Sequence, residues 1–256
     1  RDARKAAAAA DVFRSDGSPH VEFFLCDLAS LAATQQLGTE LAARGEPLDL
    51  LLNNAGALFH RREVTAEGFE RTFALNHLGY FTLTNKLLPL LRLKRSRADA
   101  PAAVSARIVS VASAAHYGGA LNFDDLQMTH NYSGWRQYQN SKLMSVLFTR
   151  ELARQRAGSG ISANCLHPGF VASRFGSNNV WWLKGLFGFA KLFAISPEKS
   201  ARAVSHVATA ASLAQISGAY FNLDQRATPA AAAQDDSAAQ RLWRITDDLG
   251  QSVRDS

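Results

Sequence analysis

Short apolar runs and longer amphipathic segments alternate along this chain, and the alternation is its main organisational signal. "VEFFL" (Val21–Leu25), "LDLLLNN" (Leu48–Asn54), "ARIVSVAS" (Ala106–Ser113), "ISANCLH" (Ile161–His167) and "GAYFNL" (Gly218–Leu223) are brief and rich in β-forming residues. Runs of this length and content predict buried strands. Between them lie segments with helical periodicity. Ser30 is the N-cap candidate for "LAATQQLGTELAARG", which Gly45 closes. Thr65, with Gly68 three residues on, is expected to open a long helix through "FERTFALNHLGYFTLTNKLLPLLRL", where Pro89 either kinks the helix or marks its last turns. "WRQYQNSKLMSVLFTRELARQRAGSG" places Leu143, Val146, Leu147 and Leu152 near one face and ends at Gly158 and Gly160. Ser196 as N-cap and Pro197 at the first helical position open "SPEKSARAVSHVATAAS". Strand and helix alternating at this spacing predict an α/β fold: a doubly wound, Rossmann-type parallel sheet with helices on both faces.

With 256 residues, 47% hydrophobic and 20% charged, the composition is that of a globular protein, and one domain over residues 1–256 is expected. The net charge of +6 comes from scattered cations, the densest run being "RLKRSR", Arg92–Arg97. This reads as a solvated helix end rather than a binding patch, so no nucleic-acid partner is expected. Cys26 and Cys165 form no CxxC or ligand spacing, so no metal or disulfide framework is suggested. No apolar run reaches the ~18 residues a membrane-spanning helix needs, and no secretory leader pattern is found. The nearest approach, "VWWLKGLFGFAKLF" (Val180–Phe193), is interrupted by Lys184 and Lys191. A cytoplasmic or membrane-associated rather than secreted protein is expected.

In a parallel sheet of this kind ligands bind beyond the carboxyl ends of the strands, which singles out the residues just after each run. These are "NNAG" (Asn53, Asn54, Ala55, Gly56), Ser113, and "HPG" (His167–Gly169). "YQNSK" adds Tyr138 and Lys142, four residues apart and therefore neighbours on one helix face. An ammonium there is expected to favour the phenolate and lower the Tyr138 pKa from ~10 toward neutrality, making it a usable acid or base. Ser113 could then bond a substrate carbonyl oxygen while Tyr138 moves its proton. Taken alone, YxxxK is a weak signal, but "NNAG", "NHLGYF", "VSVAS", "YQNSK" and "HPG" form an ordered set.

That set resembles the short-chain dehydrogenase/reductase superfamily, and the resemblance extends from Cys26 to Leu249. "SVASAAHYGG", "YQNSKLMSVLFTRELA", "LHPGFVASRF", "SGAYF" and "AQRLW" are most similar to its retinol dehydrogenase-like branch. The resemblance implies a catalytic tetrad of Asn76, Ser113, Tyr138 and Lys142, with Asn76 holding a structural water. It implies an NADP (NADPH) cofactor contacted by Asp27 at the adenine, by Asn53, Asn54, Ala55 and Gly56 along the ribose, and by Tyr138 and Lys142. Pro168, Gly169, Val171 and Ser173 would flank the nicotinamide. Residues 174–196, with Trp181, Trp182 and several Leu and Phe, match a substrate-covering segment. That segment also admits ordinary core, a homodimer contact or a peripheral membrane contact. The implied reaction interconverts an alcohol and a bulky, apolar, retinoid-like carbonyl substrate.

The glycine-rich TGxxxGxG of the superfamily is not found in these residues. The opening "RDARK" resembles the turn after the family's second strand, with Arg1 as the cation for the NADP 2′-phosphate. On that reading the sheet lacks its first two strands. A non-catalytic scaffold or regulatory role is the alternative this raises, and a protochlorophyllide reductase-like activity is a minor one. His77, His116 and His167 lack ligand spacing and read as packing or loop residues.

Overall fold

A computed structural model describes residues 2–18, 20–93, 106–170 and 195–252. Its centre is a five-stranded sheet of β1 (Leu50–Asn53), β2 (Ala106–Val111), β3 (Ile161–His167), β4 (Tyr220–Asn222) and β5 (Gln225–Ala227), in that spatial order. The first four strands are parallel and β5 is antiparallel to β4. The helices are α1 (Ala3–Ser15), α2 (Leu31–Ala43), α3 (Arg71–Phe73), α4 (Gly79–Leu93), α5 (Gly134–Gln155), α6 (Pro197–Thr209) and α7 (Asp236–Ser252).

Residue alternation on the central strands sorts the two layers. Leu51, Ile108, Ile161 and Ala163 pack with Phe81 of α4 and Phe148 and Leu152 of α5. Val109, Val111 and Leu166 face the other way, onto Val207 and Ala208 of α6. Burial on both faces explains why these strands read as continuous apolar runs. On the α5 side, Leu143, Met144 and Leu147 join Cys165, Tyr220 and Leu242 of α7 in the largest apolar cluster.

Several local signals hold. Ser30 accepts from the Ala33 N–H, Ser196 from the Lys199 N–H with Pro197 behind it, and Pro89 lies in the last turns of α4. Two expectations are corrected. Val21–Leu25 forms no strand: it is irregular chain in which Phe23, Phe24 and Leu25 are exposed. A strand is defined by its ladder, and this segment pairs with no other strand among the described residues. The long helix also does not open at Thr65. Gly68, at φ +85°, closes a turn by donating to the Thr65 carbonyl, and the helix starts after Glu70, whose carboxylate caps the Thr72 and Phe73 N–H groups. A carboxylate accepting two N–H groups at a helix start is a stronger cap than a single hydroxyl.

Candidate active site

The expected site residues gather where β1, β2 and β3 end. Ser113 is the second residue after β2; its hydroxyl accepts from the Ala115 N–H at 3.2 Å and opens the 3-10 turn Ala114–Gly118. The same hydroxyl hydrogen-bonds the Tyr138 phenol, an interaction that lowers the phenol's pKa. Tyr138 stands in the second turn of α5. The start of that helix is pressed so close to the Phe59–His60 backbone that a Cβ on Gly134 would lie 2.3 Å from the Phe59 carbonyl oxygen. Only glycine permits this approach.

Lys142 lies one turn on, 3% exposed, with its ammonium 5.7 Å from the Tyr138 ring centroid and donating to the Val111 carbonyl at 2.9 Å. Burial pushes the lysine down to about 8 and the phenol up to about 12. The expectation that Lys142 draws Tyr138 toward neutrality is therefore corrected for the protein by itself. The ammonium faces the ring and a carbonyl, and desolvation of the phenolate outweighs what Ser113 returns.

Asn76 lies in a π-helical turn, Ala74–Leu78, between α3 and α4. Wide turns of this type leave the regular carbonyl ladder and are common at functional sites. Its amide is held on all sides: Oδ1 accepts from the Ala57 N–H, and Nδ2 donates to the Ala57 carbonyl and the Ser141 hydroxyl. The helix with Asn76, the loop after β1 and the helix with Tyr138 are thus one hydrogen-bonded unit. Gly56 belongs to it as well, since a Cβ there would lie 3.4 Å from both Asn76 Oδ1 and Lys142 Nζ.

The remaining expected cofactor residues are spread around this centre. Asn53 is buried and donates to Thr84, whereas Asn54 and Gly56 are exposed. Asp27 ends the irregular segment, its carboxylate taking the Ala29 N–H, and the next residue, Leu28, presents its carbonyl to the first residue of α4. Pro168 and Gly169 follow β3 directly, Gly169 at φ +86°. Arg1, Val171, Ser173 and segment 174–194 lie outside the described residues.

His77 and His116 are packing residues, as expected. His77 is enclosed by Phe73 and Phe148 and bonds Thr246, and burial takes it down to about 3. His116 bridges the Ser113 carbonyl and the Ala230 N–H. His167 differs: its pKa is lowered by burial and then by the nearby His116 and Lys142, and its Nδ1 is buried without a hydrogen bond among the described residues. It therefore borders the site. Glu70 was not singled out by sequence reasoning. Fully buried, it takes the Thr72 and Phe73 N–H groups, the Gln137 amide and the Tyr132 hydroxyl, which ties the Asn76 helix to the start of α5. An acidic residue just ahead of an apolar helical run was the available signal.

Residues 1–182 match the family model described as short chain dehydrogenase. The chain belongs to the short-chain dehydrogenase family. Within it, the chain is 38% identical over 255 residues to human retinol dehydrogenase 13, covering 95% of this chain and 73% of that protein. It is 36% identical over 230 residues to the mouse polyprenol dehydrogenase, covering 89% and 67%. Among solved structures, an uncharacterized protein from Mycobacterium Paratuberculosis matches with a TM-score of 0.71 at 28% identity, covering 98% of this chain and 82% of that one. RhlG of Pseudomonas aeruginosa, solved as an NADP active-site complex, matches at 0.63 and 26% identity, covering 88% and 82%. The fold is thus Rossmann-type α/β, and the protein is an oxidoreductase of the retinol dehydrogenase-like branch that uses a nicotinamide cofactor on a small alcohol or carbonyl compound. Gly56 lies beside Lys142 and Asn76, next to the Ser113–Tyr138 pair, so these polar groups form one cluster at the carboxyl ends of the strands, of a kind that could hold such a cofactor.

Proposed function

We propose that the protein reduces a bulky, apolar carbonyl compound to its alcohol with NADPH, with Tyr138 as the proton donor. The observation that carries this reading is the Ser113–Tyr138 hydrogen bond, set beside buried Lys142 beyond the carboxyl ends of β2 and β3. The nicotinamide ring, when bound, supplies the hydride.

The roles of the protein's own groups follow from their environments. Burial keeps Tyr138 in its phenol form across the physiological range, so it has a proton to give to a substrate oxygen. The Ser113 hydroxyl is available to the same oxygen, and two donors converging on it stabilise the negative charge that develops there. Lys142, charged below about 8, favours the phenolate that remains after transfer and can reach a ribose hydroxyl by exchanging its bond to Val111. Asn76 fixes Ala57 and Ser141, and with them the distance between the loop after β1 and α5.

NADP rather than NAD is favoured by the NADP held by RhlG and by Arg1 as a cation for a 2′-phosphate. A bulky apolar substrate is favoured by the retinol and polyprenol of the relatives' names and by the apolar content of residues 174–196, proposed to cover it. The test is oxidation of NADPH against a panel of long-chain aldehydes and ketones, with Tyr138→Phe alongside. Turnover is expected to fall by about 1,000-fold or more in the variant, the loss of a proton donor and one oxyanion contact together. Unchanged turnover would refute the assignment.

A further inference from the structure

Trp135 is the first large side chain of α5, and 54% of it is exposed. Its ring stacks on Tyr138 one turn later, with centroids 5.8 Å apart and planes inclined by 28°. Tyr138 itself is only 6% exposed, so the indole shields one side of the phenol and turns its remaining surface outward. A half-exposed indole at this place is not a packing requirement of the helix, because the faces of α5 that meet the sheet are already filled by Leu143, Val146, Leu147 and Leu152. The local chain nevertheless fixes it: Ser133 caps the Arg136 N–H, and Gly134 is held against Phe59.

We propose that Trp135 is a specificity-determining residue, a wall of the substrate site that favours planar, conjugated carbonyl compounds over saturated ones of the same length. This rests on the functional reading above. A substrate oxygen that takes the Tyr138 proton lies within hydrogen-bond reach of the phenol. The indole, its centroid 5.8 Å from that of the phenol, is an exposed aromatic surface next to the proton donor, and the atoms that follow the carbonyl can lie against it. A conjugated chain is flat from the carbonyl outward and lies parallel to the indole with its π-faces in contact. A saturated chain, puckered and rotating, offers dispersion alone and gives up more rotational freedom to lie flat. Phe170, exposed directly after the Pro168–Gly169 turn, adds a second aromatic surface at the carboxyl end of β3.

The experiment compares a ten-carbon conjugated dienal with decanal, both with NADPH, in the wild type, Trp135→Leu and Trp135→Phe. The ratio of kcat/KM for the dienal to that for decanal is expected to fall about fivefold in the leucine variant, the size of an aromatic stacking contribution, and to be largely kept by phenylalanine. The ratio cancels any general loss of folded enzyme. An unchanged ratio in Trp135→Leu overturns the proposal, as does an equal fall in both variants. Turnover that survives Tyr138→Phe, or none in the wild type, counts against the functional reading instead. Calorimetric Kd values for the two aldehydes with NADP present then decide the role of Trp135: a dienal preference lost in the leucine variant supports it, and a preference retained refutes it.

Discussion

The Lys142 ammonium lies over the face of the Tyr138 ring, 5.7 Å from its centroid, and gives a hydrogen bond to the carbonyl of Val111. Spacing of four residues brings the two side chains to one face of α5, but burial rather than their mutual attraction sets both titrations. Desolvation lowers the lysine to about 8 and raises the phenol to about 12. Over the physiological range the pair is therefore an ammonium beside a neutral phenol, the state suited to giving a proton.

The pH dependence of carbonyl reduction follows from these values. Tyr138 keeps its proton well past neutrality, so the alkaline limb of kcat/KM is expected to come from Lys142, which loses its charge as pH rises through about 8. Lys142→Arg holds its charge to far higher pH. Whatever activity the variant retains should show no fall near pH 8. A limb that stays near 8 in the arginine variant would assign it to another group.

Stability gives a second reading of the same lysine. Its folded-state value lies below the unfolded one, so the cost of burying the ammonium is fully present below about 8. It fades as pH rises toward ~10.4, where the unfolded lysine also loses its proton. Lys142→Met, similar in shape and uncharged, is expected to be more stable than the wild type by on the order of 2 kcal/mol near neutrality, after allowing for the lost bond to Val111. Thermal melts should show that gap closing on the alkaline side, with Tyr138 cancelling because both proteins carry it. A gap independent of pH would mean that the ammonium pays no desolvation cost.

How much of this was legible in the sequence depended on how local each determinant is. Ser196 and Pro197 opened α6 as expected because a cap needs only its own turn. The runs that became β2 and β3 were legible because central strands are apolar on both faces. Val21–Leu25 has the same composition and formed no strand, since pairing depends on a neighbour that composition does not reveal. Thr65 lost the helix start to Glu70 because the buried carboxylate serves two helical N–H groups and also Gln137 and Tyr132, partners about sixty residues away. Ser113, Asn76, Tyr138 and Lys142 could be picked out by motif order. The direction of the Tyr138 titration could not, because it is set by packing from several elements.

Asn76 provides the last test, because its amide orientation is set by its partners. The oxygen faces the Ala57 N–H, and the nitrogen faces the Ala57 carbonyl and the Ser141 hydroxyl, each at about 3 Å. Asn76→Asp keeps the shape but turns a donor into an oxygen that opposes the Ala57 carbonyl. Ser141 could donate to that oxygen only by leaving the Tyr138 carbonyl it now serves. The site is fully buried, so the charge finds no water. A loss of roughly 2–4 kcal/mol at neutral pH is expected, comparable with breaking a buried polar network. The carboxyl of the variant should titrate above its unfolded value. The deficit should therefore shrink on the acidic side, where a protonated oxygen can again donate to Ala57. Asn76→Ala loses the same bonds without adding charge, so its deficit should not vary with pH. Melts of the two variants at acidic and neutral pH separate the cases, and equal pH dependence in both would show that the nitrogen of Asn76 does not face Ala57.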